Sequence, residues 1–210
     1  MLGFIFMQME TNEQIIAIKR ACRGLMNGPV SASMREKGLT YKVNFGVELP
    51  RLRELAATQP HTYALAAALW KENIRECRLL AAMLMPTEAF DAELADLWVE
   101  QMQFEEEAEC TTAHLFARLP YASAKAFEWV AREERMFRLC GWLLFSALFK
   151  NKMTPAPRDA RELMDQARSE LSAVADRRVA AAAQRAVMHF MSLGPEQEQM
   201  GDAMLTACGL

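Results

Sequence analysis

Apolar residues recur three and four positions apart along most of the chain, a spacing that predicts amphipathic α-helices. Ile15, Ile18 and Cys22 share one such face, and a longer series runs from Leu65 to Leu84. No segment combines strand-like alternation with turn residues. Gly and Pro are few, 9 and 8 of 210 residues. The abundant Ala, Leu, Met, Glu and Arg all favour helix. The sequence therefore predicts an all-α protein of about ten helices.

Capping residues predict where the first two helices begin. Thr11 with Gln14 and Ser33 with Glu36 both match the capping box, in which the two side chains bond reciprocally to the first turn. Gly38 is placed to end the second of these helices.

Proline residues set the boundaries of the later helices. We expect a helix from about residue 50, opened by Pro50, and a long helix over 62–85, ended by Pro86. Further helices are predicted at about 91–103, 105–118, 123–133, 134–150, 158–175, 177–192 and 195–207.

The arrangement of these helices allows two architectures. Consecutive antiparallel helices of similar length favour a helical-repeat solenoid. Sequence similarity between successive helix pairs is weak, so a compact bundle is the alternative. No strong boundary divides the chain, and we expect a single helical-repeat domain over residues 1–210, with 1–10 and 195–210 at its margins.

Charge is distributed unevenly along the chain. The whole sequence carries 24 Lys/Arg and 27 Asp/Glu, a net charge of −3, which is not typical of a strongly basic nucleic-acid binder. Residues 61–110 hold three Lys/Arg against eleven Asp/Glu, whereas residues 111–150 hold six against three. The acidic stretch also contains many apolar residues, so we expect it to fold with a negative face that repels phosphate. A cationic groove built from separate helices stays compatible with this composition.

The five cysteines are widely spaced, with no CxxC pair and no Cys/His cluster at metal-binding spacing. This pattern predicts buried thiols in a reducing cytosol. No apolar run reaches membrane-spanning length, and the short apolar start lacks the features of a secretory signal. We therefore expect a cytoplasmic protein without a membrane span, metal or organic cofactor.

Glu105 and Glu109 are the leading candidates for chemistry. They lie at i and i+4 of a predicted helix, so they share a face, with Thr112 on the next turn. Two nearby carboxylates can perform acid/base work or bind a metal. The alternative is a solvated acidic helix start, because negative charge stabilises a helix N-terminus.

Arginine and tryptophan candidates carry structural alternatives as well. Arg75 and Arg78, on the helix predicted over 62–85, are candidates for phosphate contact, and the alternative is i,i+4 pairing with nearby acids on a solvated face. A second stripe recurs every three residues at Arg132, Arg135 and Arg138. Four tryptophans occupy apolar periodic positions and are predicted to be core: Trp70, Trp98, Trp129 and Trp142.

Several sequence runs, in order, resemble the AlkD-like DNA alkylation repair family. The resemblance covers about residues 30–150, and the order of elements continues to about 190. The matching runs are MREKGL at 34–39, NFGVELPRLRELA at 44–56, LW at 69–70, IRECRLLA at 74–81, LWV at 97–99, LF at 115–116, and AFEW at 126–129 continuing through REE at 132–134 to Gly141.

The resemblance implies a HEAT-like α-solenoid, an α–α superhelix with a concave, basic DNA-binding surface. It also implies a DNA N-glycosylase that releases cationic alkylated purines without a metal. In that family a Trp, an Asp, an Arg and a second Trp line the concave face. Their rings and carboxylate suit a cationic base and the oxocarbenium-like sugar that forms as the bond breaks.

This sequence departs from the family at each of those four positions. The first Trp position holds Glu105, and the Asp position holds Glu109, which keeps the charge. The Arg position holds Leu139, with Arg138 beside it, and the second Trp position holds Arg185. The sequence therefore loses both stacking rings.

Two hypotheses follow from the resemblance. In the first, the protein recognises or excises alkylated purines in double-stranded DNA, with Glu109 as the electrostatic carboxylate and Glu105 assisting. In the second, it is a non-catalytic HEAT-like scaffold that binds DNA or a protein partner. Both expect Glu105, Glu109, Arg138 and Arg185 to converge on the hollow side of the solenoid. The predicted DNA-binding residues are Arg138, Arg185, Arg135, Arg75 and Arg78.

Overall fold

The computed structural model describes residues 2–173 and 175–210, and these residues form twelve α-helices and two short 3₁₀ turns. Their β pairing is limited to one isolated parallel bridge, from Val43 to Ile74. The all-α prediction is confirmed. None of the helices described is long and apolar enough to cross a bilayer. The helices are α1 (Leu2–Gly24), α2 (Gly28–Glu36), α3 (Leu49–Ala57), α4 (Tyr63–Trp70), α5 (Arg75–Leu84), α6 (Ala92–Gln101), α7 (Glu105–His114), α8 (Ala122–Val130), α9 (Arg135–Lys150), α10 (Pro157–Ala173), α11 (Arg177–Met191) and α12 (Pro195–Ala207).

The chain divides into two compact units, unit 1 (Met1–Asp91) and unit 2 (Ala92–Leu210). Within unit 1, a buried ion pair holds the loop between α2 and α3. The Glu76 carboxylate, 0% exposed, accepts hydrogen bonds from the amides of Phe45 and Val47, both at 3.2 Å. Arg75 donates to the Val47 carbonyl at 2.8 Å and lies 3.3 Å from Glu76. This group of bonds fixes an irregular segment against α5.

The prediction of one long helix over 62–85 is wrong, because this segment forms two helices, α4 and α5. The loop before α3 interrupts it. The Val43 amide donates to the Asn73 carbonyl at 3.3 Å, and the Arg75 amide donates to the Val43 carbonyl at 3.0 Å. These bonds engage backbone groups that a continuous helix would pair within itself.

Both predicted capping boxes are also wrong. The first helix, α1, runs without a break from Leu2 to Gly24, so Thr11 lies inside the helix and does not cap it. The second helix, α2, begins at Gly28, five residues before Ser33. Its true cap is Asn27, whose side chain accepts a hydrogen bond from the Val30 amide at 3.2 Å.

Unit 2 is organised around α9, which packs against α7, α8 and α11. Gly141 permits the close approach of α8, because a Cβ there would lie 2.7 Å from Val130 Cγ1 and 2.8 Å from the Val130 amide nitrogen. The predicted core tryptophans are confirmed as buried in both units. One of them, Trp129, donates to Asp96 at 2.7 Å, and Lys125 donates to the other oxygen of Asp96, also at 2.7 Å.

The prediction of buried thiols is confirmed for four of the five cysteines. Burial raises the pKa of Cys22 and of Cys77 to about 12, and it raises the pKa of Cys140 as well. These thiols therefore stay protonated at neutral pH and are poor nucleophiles. The buried cysteines are Cys22, Cys77, Cys110 and Cys140, whereas Cys208 is half-buried. In the part of the chain that the structure describes, no group of three or more His, Cys, Asp or Glu side chains could hold a metal ion.

Candidate nucleic-acid interface

Three helices of unit 2 line a cavity of about 270 Å³ that is open to the surface. Helical spacing explains how they line it, because residues three and four apart share a face. The lining positions follow this spacing on each helix: 109, 112 and 113 on α7, 143, 146, 147 and 150 on α9, and 185 and 189 on α11. The lining residues are Glu109, Thr112 and Ala113 from α7, Leu143, Ser146, Ala147 and Lys150 from α9, and Arg185 and His189 from α11.

Two cations and one carboxylate stand at this cavity. Lys150, Arg185 and Glu109 are all exposed. Among the described residues, none of the three has an ion-pair partner within 4.0 Å. Their charges are therefore available to a ligand, and the formal balance is one positive charge. A cationic cavity in a protein of net negative charge is a local site of attraction for an anion.

The rest of the lining includes two buried residues with hydroxyl groups, Ser146 and Thr112, and the half-buried imidazole of His189. Ser146 Oγ lies 2.7 Å from His189 Nδ1, and the tautomer of the ring decides which of the two donates. The Thr112 side chain is buried at 3% exposure, and its Oγ1 has no hydrogen-bond partner in the structure. The cavity thus combines surface charge with buried polar atoms.

Glu105 lies outside this lining, in a group of four charged residues that we call the Glu105 cluster: Glu105, Arg135, Asp176 and Arg178. Arg135 bonds to both carboxylates, with 2.6 Å to Asp176 Oδ2. Arg178 Nε lies 3.6 Å from Glu105 Oε2. The hydrogen bond to Asp176 raises the pKa of the Arg135 guanidinium most, and the hydrogen bond to Glu105 raises it further. The cluster has no net charge, so Glu105 does not act as a free anion.

The acidic stretch that includes Glu105 therefore repels phosphate less than its composition suggests. Glu107 is buried and accepts a hydrogen bond from the Gln103 amide at 2.8 Å, so its carboxylate stabilises the first turn of α7. Glu105 is balanced by two arginines. Glu109 is the member of this group that stands exposed at the cavity.

The Glu105 cluster predicts how stability depends on pH. The hydrogen bond from Arg135 lowers the pKa of Asp176. A lowered pKa means that the ionised carboxylate stabilises the fold above its unfolded pKa of about 3.9, and that this contribution is lost as pH falls through the folded pKa. We expect Asp176→Asn to lower the Tm at pH 6, and the gap from the wild type to close towards pH 2.5, measured by circular dichroism.

The helix cap at the same residue provides the control. Asp176 also accepts hydrogen bonds from the Arg178 and Val179 amides, at 2.8 and 3.0 Å, a role that asparagine can keep. Asp176→Ala removes the cap as well and should cost about 1 kcal/mol more. Melting curves whose separation stays constant with pH would contradict the role of the ion pair.

Two of the predicted DNA contacts lie in unit 1 and have partners there. Arg75 is buried at 4% exposure by its bonds to Val47 and Glu76, which gives it a structural role. Arg78 donates to the Trp70 carbonyl at 3.1 Å, and its guanidinium stands 3.9 Å above the Trp70 ring. Neither is part of the interface proposed below.

Arg138 lies in unit 2 but at a different cavity, lined by residues of α8, α9 and α10. Its Nε is 3.2 Å from Glu170, and its Nη1 donates to the Glu133 carbonyl at 2.8 Å. Leu139, which holds the family's Arg position, is buried. The structure therefore brings Glu109 and Arg185 to one cavity and places Glu105 and Arg138 elsewhere in the unit.

Sequence reasoning missed three polar residues of the cavity, although each left a signal. Ser146 interrupts an otherwise apolar run in α9, and Lys150 follows four residues later on the same face. His189 follows Arg185 at the same interval on α11. Thr112 was expected on the face of Glu109, and the two do line the cavity together.

Comparisons with known proteins give two matches. Residues 25–186 match the sequence profile of a family described as "DNA alkylation repair enzyme". One similar solved structure is described as "A new family of proteins related to the HEAT-like repeat DNA glycosylases with affinity for branched DNA structures". It matches with a TM-score of 0.81 at 12% sequence identity, over 90% of this chain and 80% of that one. This similarity confirms the predicted HEAT-like fold. The comparison with curated proteins gave no significant match.

Proposed function

Since the chain belongs to the DNA alkylation repair enzyme family, we propose that it is a DNA-binding protein that contacts phosphates through Lys150 and Arg185 and does not excise bases. The observation that carries this proposal is the cavity itself. It offers two exposed cations from two helices, and no described lining residue is Trp, Tyr or Phe.

Phosphate contact suits the charges of this cavity. DNA affinity rests largely on neutralising phosphates with Lys and Arg. A cation already held by a protein carboxylate must lose that partner first, and this applies to Arg135 and Arg138. Lys150 and Arg185 have no such partner among the described residues, so their interaction with a phosphate loses no existing ion pair.

For base excision, this chain lacks the aromatic side chains that the family's chemistry uses. A cationic alkylated purine is stabilised by stacking on an aromatic face. The two aromatic positions of the family hold Glu105, which is bound in the Glu105 cluster, and Arg185. The structure thus favours the non-catalytic hypothesis, with DNA as the partner. We extend the branched-DNA affinity stated for the similar structure to this chain as part of the proposal.

One observation favours a second candidate function, which is hydrolysis of the N-glycosidic bond of a cationic alkylated purine. Glu109 stands exposed at the cavity without an ion-pair partner among the residues described. A free carboxylate at that position could stabilise the positive charge that develops on the sugar.

A base-release assay separates the two candidates. The protein is incubated in excess with duplex DNA containing 7-methylguanine or 3-methyladenine, and free base is measured by chromatography. We expect no release above the rate of the DNA alone, for the wild type and for Glu109→Ala alike. Release by the wild type that disappears in Glu109→Ala would establish excision instead.

Binding is tested in parallel by fluorescence anisotropy. A four-way junction and a linear duplex of equal length are titrated at several salt concentrations. We expect tighter binding to the junction, and a log–log salt slope near −2, because two phosphates are neutralised at about −0.9 each. Affinity that does not change with salt would contradict phosphate contact.

A further inference from the structure

We infer that Met188 gives this protein its preference for branched DNA, by packing its side chain against a base pair whose face is exposed at the branch point. This inference rests on the proposed function, since Lys150 and Arg185 would hold the backbone of the same DNA. It draws on the position of Met188 on α11, on the charges around it, and on the chemistry of a methionine side chain.

Phosphate contacts alone do not explain a choice between DNA structures. Lys and Arg neutralise phosphates on any duplex, and these contacts position a protein on DNA without reading the bases. A branch differs from a duplex because stacking between base pairs is interrupted where its arms meet. The flat face of a base pair becomes accessible there, and such a face binds apolar and aromatic groups. A residue that selects branched DNA should therefore be apolar, exposed and close to the cations that bind phosphate.

Met188 meets these three conditions. The residue is 59% exposed, although most of the apolar residues of α11 are buried. It follows Arg185 by three positions, so the two residues lie on one face of the helix with Cβ atoms about 5–6 Å apart. Arg185 is itself exposed at the cavity. A phosphate held by Arg185 would thus bring a nucleotide within reach of Met188.

The exposed surface of α11 suits the approach of DNA. The helix has no Asp or Glu between Arg177 and Met191. Four of its exposed residues recur three and four positions apart, so they form one stripe along the helix. In chain order the stripe consists of Arg178, Ala181, Arg185 and Met188. A backbone that follows this stripe meets cations and apolar groups, and no carboxylate of α11 repels it.

The surroundings of Met188 distinguish it from an ordinary exposed apolar residue, which is common on protein surfaces. Leu97 on α6 is such a residue in the same unit, and it is 45% exposed. Glu93 lies four positions before it and Glu100 three positions after it, and both are exposed on the same face of α6. These carboxylates repel phosphate, so Leu97 stands on a surface that DNA avoids.

The methionine side chain suits contact with a base. It is unbranched and polarisable, and it adapts to irregular gaps. Methionine is among the apolar side chains that DNA-binding proteins insert between base steps, where the cost of unstacking is lowest if the stack is already interrupted. Packing Met188 on a base pair would remove its exposed apolar surface from water, a gain that an intact duplex does not provide.

The test measures the junction preference, which is the Kd for a linear duplex divided by the Kd for a four-way junction. Hairpin loops close the ends of both DNAs, so that blunt ends do not expose base pairs. The protein is titrated by fluorescence anisotropy. We expect Met188→Ala to reduce the preference about tenfold through weaker junction binding, which corresponds to burial of about one methionine side chain. Its affinity for the duplex should stay within about twofold.

Three further variants separate the apolar contact from charge and from folding. Met188→Leu keeps an apolar side chain of similar size and should retain most of the preference. Met188→Lys adds a cation, so it should bind the duplex more tightly and still lose the preference. Leu97→Ala, the matched control, should leave the preference unchanged. Because Met188 is exposed, its variants should keep a Tm within about 2 °C of the wild type.

A fluorescent base reports on the contact directly. The fluorescence of 2-aminopurine depends on its stacking, and the base is placed either at the branch point or in the middle of an arm. We expect the wild type to change the signal at the branch point and not in the arm. Met188→Ala at saturating concentration should leave both signals unchanged.

The outcomes distinguish this inference from the function on which it rests. A junction preference that Met188→Ala does not reduce overturns the inference alone, and so does an equal loss of affinity for both DNAs. Salt-dependent binding without any preference in the wild type also overturns it and leaves phosphate contact standing. The absence of binding to either DNA overturns the proposed function together with the inference.

Discussion

Replacing Glu76 with alanine is expected to lower the free energy of unfolding by about 3–5 kcal/mol, because the substitution leaves a buried charge without its partner. Glu76 is fully buried and accepts hydrogen bonds from the Phe45 and Val47 amides. Arg75, itself buried, lies 3.3 Å from it. The substitution therefore removes a charge partner and two amide acceptors at once, and each lost acceptor adds a desolvation cost.

Urea unfolding followed by circular dichroism measures this effect. The matched control is Glu54→Ala, because Glu54 pairs with Arg51 at 2.9 Å on the surface, where both side chains are more than 60% exposed. An exposed pair contributes at most about 1 kcal/mol. A loss in Glu76→Ala no larger than that in Glu54→Ala would mean that the buried pair does not hold the loop.

The second large effect is expected on DNA affinity, which should fall about a hundredfold when Lys150 and Arg185 are both replaced by alanine. Each cation is expected to contribute about tenfold, or 1.4 kcal/mol, through a charge-assisted hydrogen bond to phosphate. The salt slope should fall by about 2 in magnitude, because two fewer counterions are released. The measurement is anisotropy on a four-way junction at several salt concentrations.

Three single variants complete this experiment. Lys150→Ala and Arg185→Ala should each lose about tenfold, because the two side chains come from different helices and share no ion-pair partner among the described residues. Arg168→Ala removes the same charge from another exposed position of unit 2 and should change affinity less than twofold. Unchanged affinity in the double variant, or an equal loss in Arg168→Ala, would contradict the placement of the interface.

The sequence predicted the helices of unit 2 more accurately than those of unit 1. The intervals predicted for α6 to α12 agree with the structure to within a few residues, because Pro and Gly separate strong apolar periods. In unit 1, the split between α4 and α5 depends on hydrogen bonds to Val43, about thirty residues earlier. A local pattern holds no information about such a partner, so the split could not be predicted.

The candidate site shows the same division. The shared face of Glu109 and Thr112 was predictable, since it follows from spacing within one helix. The resemblance to the family added Arg185. Lys150, Ser146 and His189 complete the cavity, but they lie on α9 and α11, and the spacing within one helix does not say which face of another helix it meets. Their proximity depends on how α7, α9 and α11 pack.

Helical period, residue propensity and the family pattern determined the all-α class, the HEAT-like fold, the buried tryptophans and the presence of an acidic α7. These properties arise from residues close together in the chain or from the order of elements along it. Tertiary structure decided which charges are available to a ligand. It pairs Glu105 with Arg135, encloses Arg75, and leaves Lys150 and Arg185 without protein partners in the residues described. The reason is physical. The energy with which a charged side chain interacts with a ligand depends on its burial and on charged neighbours a few ångströms away. Packing brings those neighbours from distant parts of the chain.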